Sequence, residues 1–228
     1  MSDHQFNSPA ELDQALADTL ITALSAAVAE RGSASLVVSG GSTPKGLFAA
    51  LSTADLPWSK ITVLLADERW VPNDHADSNE RMVKEVLLQG AAANAGFISL
   101  TPAYPDTEAN LAEVRAALAA IDTFDIVILG MGGDMHTASL FPCCNEVNDG
   151  LTTSDAVLMT HPTSAPHARV TLSRQRLSNT RRGLVHIVGD DKWQVLAVAR
   201  ATDNEAAAPI GAFVEPKGDF EVWFAPKP

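Results

Sequence analysis

Leucines at positions 12, 16, 20 and 24, followed by Val28, return at every fourth position, the spacing that puts apolar side chains on one face of a helix. Ser8-Pro-Ala-Glu11 in front of them reads as a capping box with Pro at the first helical position, and Gly32 behind them as a stop. The pattern then shortens to an apolar run at 35–38, which predicts a strand. A helix over 44–51 and a second strand over 61–66 follow. A loop through Pro72 and Asn73 leads to a helix opening near Ser78, and an amphipathic helix over 108–121 feeds a strand over 124–129. A short helix is expected over 137–141, stopped by Pro142. Further strands are predicted at 156–159, 169–172, 184–188 and 220–224, with a helix over 191–200.

Strands alternating with crossover helices give an α/β fold, a largely parallel, Rossmann-like sheet with helices on both faces. No repeat, low-complexity tract or linker divides the chain, so residues 1–228 are read as a single domain. The stretch around 73–104 is the one place where that reading leaves room for a small insertion.

Composition narrows the function. Apolar residues make up 46% and charged residues 19% of the 228 positions, as in ordinary globular chains. No uninterrupted apolar run approaches the ~20 residues that span a bilayer, and Met-Ser-Asp-His-Gln at the start lacks the basic and apolar regions of a secretory signal. Cys143 and Cys144 are adjacent and bridge poorly, so a reducing cytoplasm is the expected setting and an inert pair the expected role. A net charge of −12 disfavours nucleic acid and anionic membrane as partners. It does not disfavour a small anion, because a few cations in one cleft outweigh a distant acidic surface screened over about 10 Å.

Three polar turns follow three of the predicted strands, and catalytic groups of open α/β sheets sit at such carboxyl ends. Ser39-Gly-Gly-Ser-Thr-Pro44 opens a helix. Its Gly40, Gly41, Ser42 and Thr43 main chain can receive phosphate, with Ser42 or Thr43 capping the helix. It is neither a Walker loop nor a dinucleotide fingerprint, so ATP and NAD are not implied. Asp67-Glu-Arg-Trp-Val-Pro72 places Arg69 where a planar guanidinium can grip phosphate in a paired geometry. Gly130-Met-Gly-Gly-Asp-Met-His136 sets Asp134 and His136 on a glycine-rich turn. No H-E-x-x-H, no Cys pair and no His pair stands at metal-ligand spacing, so no metal is expected. His75, His161, His167 and His186 have no comparable context and read as structural or exposed; Trp58, Trp70, Trp193 and Trp223 read as packing residues.

Together with Asp77-Ser-Asn79, Ser139-Leu-Phe-Pro142 and Arg169-Val-Thr-Leu-Ser173, these motifs resemble, in order and over nearly the whole chain, the 6-phosphogluconolactonase family. The related glucosamine-6-phosphate deaminases typically carry Asp-Glu-Tyr and Phe-Asn-Glu-Pro where this chain has Asp67-Glu-Arg69 and Ser139-Leu-Phe-Pro142. The family has Gly between the Asp and the His, where this chain has Met135. If that position needs a positive φ, Met costs about 1 kcal/mol or more there, and its thioether is expected to crowd the cleft.

The resemblance implies hydrolysis of a phosphorylated sugar δ-lactone by an oriented water, without a cofactor. His136 would be the general base, and Asp134 or Asp67 would orient it or the water. Phosphate ligands would be Arg69, Arg169, Lys192 and the 40–43 main chain. Lys192, in Gly189-Asp-Asp-Lys192, resembles the family's phosphate-binding lysine. No G-x-S-x-G elbow is present for an acyl-enzyme route. Two alternatives remain at this point, an amino-sugar-phosphate deaminase or isomerase and a non-catalytic phosphosugar sensor. A monomer or small homo-oligomer is expected.

Overall fold

The computed structural model describes residues 3–227. In chain order its elements are β1 (His4–Gln5), α1 (Pro9–Arg31), β2 (Ala34–Val38), α2 (Lys45–Ser52), β3 (Ile61–Leu65), β4 (Asp67–Arg69), α3 (Asn79–Val86), β5 (Gly96–Ile98), α4 (Thr107–Leu118) and β6 (Phe124–Leu129). Then come α5 (Val147–Thr152), β7 (Val157–Thr160), β8 (Arg169–Leu172), α6 (Arg174–Ser178), β9 (Thr180–Val188), α7 (Asp190–Ala201) and β10 (Glu221–Ala225). Seven strands form a sheet in the order β1-β10-β9-β6-β2-β3-β5, every neighbouring pair parallel.

β2 and β6 explain why the centre of that sheet is legible. Ala34–Val38 is buried at every position, and Phe124–Leu129 at all but Asp125, as strands covered on both faces must be. Asp125 is not wasted: it accepts hydrogen bonds from the main-chain N–H and hydroxyl of Ser35 and pairs with Arg31 at the end of α1. α1 starts as its sequence predicts, with Ser8 accepting the Glu11 N–H and Gly32 taking the left-handed cap at φ 79°. Its length and composition would suffice to cross a bilayer, but Leu12, Leu16, Leu20 and Leu24 are fully buried against the core, as in an ordinary core helix.

Three expectations fail. The 73–104 stretch is no insertion, because its β5 pairs with β3 as the edge strand of the main sheet. No helix forms over 137–141. Ala138 takes φ 47°, and a one-pair bridge joins Thr137 to Leu140. A second sheet, β4-β8-β7, is antiparallel, so Asp67-Glu-Arg69, expected as a turn, is a short strand. Its charges mislead because remote partners satisfy them. Glu68 is fully buried and accepts from the main-chain N–H groups of Arg69, Asn79 and Glu80 and from the Ser78 hydroxyl.

The site lies where connections leave the sheet in opposite directions. From β2 the chain proceeds outward to β3 and β5, then returns to β6 on the other side of β2. Between two such adjacent strands the connections diverge and open a crevice, the usual ligand position of open α/β sheets.

Candidate active site

Ser39 joins the two loops that begin at this crevice. Its hydroxyl donates to the Ile128 carbonyl at 3.1 Å and accepts from the Gly130 N–H at 3.3 Å. Above it opens a cleft of about 650 Å³, within the size range of small-molecule sites. Gly40 through Thr43, Asp67, Arg69, His136 and Lys192 all line it. Of the residues expected at the site, Asp134 and Arg169 are not among the lining side chains.

Asp134 acts from behind. Its Oδ1 lies 2.5 Å from His136 Nδ1, while the His136 ring stacks on Phe141 with centroids 3.9 Å apart. The turn between them is closed by Met135 N–H to Gly132 carbonyl and Gly132 N–H to His136 carbonyl. That closure brings Gly132 so near that a Cβ there would lie 2.1 Å from His136 Nδ1 and 2.5 Å from Asp134 Oδ1. Met135 does adopt the left-handed region, at φ 69°. Its side chain packs on the hydrophobic core instead of lining the cleft, so crowding by the thioether does not occur.

Asp67 takes a different role. It is nearly buried and receives the Ser139 hydroxyl at 2.5 Å. Ser139 is fixed in turn, its N–H donating to Thr171 and its carbonyl accepting from Thr160. Asn79 donates to the Asp67 carbonyl, and a Cβ on Gly40 would fall 1.9 Å from Asn79 Oδ1, so close approach of the two loops requires glycine.

The cations gather on one side. Arg69 lies directly opposite Arg169 in the β4–β8 pair, and Arg69 Nη1 donates to the Asp77 carbonyl at 2.5 Å. Arg169 is buried, and its Nε and Nη1 have no partner among the described residues. Burial, and then the neighbouring Arg69 charge, push its guanidinium below the usual arginine range. Two arginines held side by side favour an anion. Lys192, in the first turn of α7, has its Nζ 3.7 Å from a Cβ position on Gly133, beside the turn that carries Asp134 and His136.

Some expectations need correction and some residues went unforeseen. Neither Ser42 nor Thr43 caps α2: Pro44 occupies the cap position with no side-chain hydrogen bond, and Gly41 turns the loop at φ 96°. Lys227 also lines the cleft, just beyond the end of β10, and the only signal for it was its place after a predicted strand. His186, expected to be structural or exposed, is buried on β9 yet borders the cleft, its Nε2 3.3 Å from Asp13.

The profile of the family described as glucosamine-6-phosphate isomerases/6-phosphogluconolactonase matches residues 7–223. The chain belongs to this family. It is 41% identical over 227 residues to the 6-phosphogluconolactonase of Rhizobium meliloti (strain 1021), covering 98% of both chains. It is 42% identical over 214 residues to that of Pseudomonas aeruginosa, covering 92% of this chain and 89% of the other. The crystal structure of a 6-phosphogluconolactonase from Shewanella baltica OS155 superimposes with a TM-score of 0.94 at 42% identity, over 99% of this chain and 97% of that one.

Proposed function

We propose that this family member is a 6-phosphogluconolactonase, hydrolysing 6-phospho-D-glucono-1,5-lactone to 6-phosphogluconate in the oxidative pentose phosphate pathway. The reading rests on one arrangement above all: His136, backed by Asp134, opens onto the same cleft as Arg69 and Lys192. The named relatives, alike over nearly their whole length, favour the lactonase over the amino-sugar-phosphate enzyme. A paired base at the cleft gives no support to a silent sensor.

In this mechanism Asp134 accepts the Nδ1 proton of His136, which leaves the lone pair on Nε2. Nε2 takes a proton from water as the water oxygen adds to the lactone carbonyl carbon. The carbonyl π electrons move to oxygen, and main-chain N–H groups of the glycine-rich turns can meet the oxyanion. When the tetrahedral intermediate collapses, the bond to the ring oxygen breaks, and the imidazolium returns its proton to that oxygen. The products are the C1 carboxylic acid, which ionises, and the C5 hydroxyl. Asp67, held by Ser139, faces the cleft as an acceptor for the attacking water or a sugar hydroxyl. The phosphate sits with Arg69, Lys192 and the Gly40–Thr43 main chain, with the buried Arg169 opposite Arg69 adding its charge, and its binding energy positions the carbonyl.

These residues supply base, acid and anion grip themselves, so turnover should survive exhaustive chelation, with no cofactor. The chain works as one domain, a cytoplasmic monomer or small homo-oligomer. A pH-stat assay of the lactone, corrected for spontaneous ring opening and run beside glucosamine 6-phosphate, tests the assignment. Release of ammonia without acid production would overturn it.

A further inference from the structure

Outside the cleft, the connection from β4 to α3 meets the connection from β7 to β8. His75 and Asp77 come from the first and His167 from the second. Their ligand atoms all lie within 4.8 Å of one another. Asp77 Oδ2 stands 2.8 Å from His167 Nε2 and 3.9 Å from His75 Nδ1, and the two imidazoles meet edge to face with centroids 5.5 Å apart. None of the three lines the cleft.

The three groups are linked to one another by hydrogen bonds that a metal would replace. Asp77 donates its main-chain N–H to His75 Nδ1 at 3.1 Å, so that nitrogen carries no proton, and a metal takes its one lone pair by displacing this hydrogen bond. Arg69, the nearby cation, is tied to the main-chain oxygen of Asp77 and leaves the carboxylate to the histidines.

We propose that His75, Asp77 and His167 form a binding site for a divalent transition-metal ion of the zinc class, clipping together two loops at the rim of the active site. Two imidazoles and one carboxylate are donors for zinc, cobalt, nickel or copper, whereas magnesium and calcium prefer all-oxygen sets. Tetrahedral zinc with bonds of about 2.0–2.2 Å sets its donors about 3.3–3.6 Å apart. The observed separations of 2.8 and 3.9 Å bracket that distance. Side-chain exposures of 42%, 52% and 28% leave the groups free to rotate the remainder. On binding, the His167 Nε2 proton moves to Nδ1 or to solvent, the Asp77 N–H turns from His75 Nδ1 to water, the metal takes both freed lone pairs against Asp77, and water completes the fourth position. The site is structural, since the reaction above does not pass through it.

The test is calorimetric titration of chelator-stripped protein with Zn²⁺, with Co²⁺ visible absorption as the second signal. Wild type should take up one equivalent and gain thermal stability. His75→Gln and His167→Asn should each weaken uptake at least about tenfold, the lower end of what loss of even an outer-shell partner costs. Asn is chosen at 167 because it tolerates the φ of 68° found there. The double variant should lose the one-equivalent step while its metal-free thermal midpoint stays at the wild-type value, and His136→Ala should bind as wild type does. Uptake unchanged in the double variant, uptake abolished by His136→Ala, or no uptake by wild type would each overturn the proposal.

Discussion

Asp134 and His136 are two residues apart, and their side chains meet at 2.5 Å through Oδ1 and Nδ1. In the proposed mechanism this contact gives the two candidate carboxylates different work: Asp134 would orient the imidazole, whereas Asp67, occupied by the Ser139 hydroxyl and open to the cleft, would be left to water or substrate. His136→Ala is expected to lower kcat by about 10²–10⁴, the range for loss of a general base, while 6-phosphogluconate still binds. Asp134→Asn should lower kcat with little change in KM, because an amide no longer enforces the tautomer that keeps Nε2 bare. Background-corrected kinetics decide this. A His136→Ala variant within a few-fold of wild type would remove it from the reaction.

Met135 offers a test of backbone strain. At φ 69° a Met side chain costs about 1–2 kcal/mol relative to glycine. Glycine would give up the packing of the thioether on the core and add roughly 0.5–1 kcal/mol of chain entropy. The two effects nearly cancel, so Met135→Gly should shift stability by no more than about 1 kcal/mol. Met135→Ile, β-branched at the same φ, should be clearly destabilised. Denaturant midpoints of the two variants check the ordering, and equal stability would mean that the turn relaxes away from the left-handed region.

The central strands were legible because burial on both faces writes continuous apolar runs, as in Phe124–Leu129. The Asp134–His136 turn was legible because its partners lie within seven residues, from Gly130 to His136. What failed depended on distant partners. Asp67 looked like a turn residue until Ser139, 72 positions away, was seen to satisfy it. Residues 137–141 carried helical composition, but the Thr137 hydroxyl binds the Gly130 carbonyl and Ser139 turns to Asp67. His75 and His167 are brought together only by the β4–β8 pairing, which no local spacing announces.

The cysteines, expected to be inert, differ sharply from each other. Burial pushes the Cys143 thiol up, but hydrogen bonds from Ser164 and Thr163 outweigh it and bring the group to about 7. Cys144 is more deeply buried and is pushed up to about 11 by that burial and by the Cys143 and Glu146 charges. The thiolate is the nucleophile, so iodoacetamide at pH 8 should label Cys143 first and almost alone. Labelling should slow roughly tenfold for each unit below pH 7, as the thiolate fraction falls. Ser164→Ala should move that profile to higher pH. Equal labelling of both cysteines by peptide mass spectrometry would contradict the assignment.

The cations are tested by comparing two substrates. Arg69→Ala and Lys192→Ala should each weaken binding of the phosphorylated lactone by about 1.5–3 kcal/mol, the range for hydrogen bonds to charged groups. Neither should much change the hydrolysis of unphosphorylated gluconolactone, which makes no such contact. Arg69→Lys should recover only part of the loss, since an ammonium cannot reproduce the paired geometry of a guanidinium. Arg69 also holds the Asp77 carbonyl, so its removal has a structural component that Lys192→Ala lacks. A misfolded variant would lose both activities together, which separates that effect from lost phosphate binding. Equal losses on the two lactones would show that these cations support the fold or the chemistry and do not hold the phosphate.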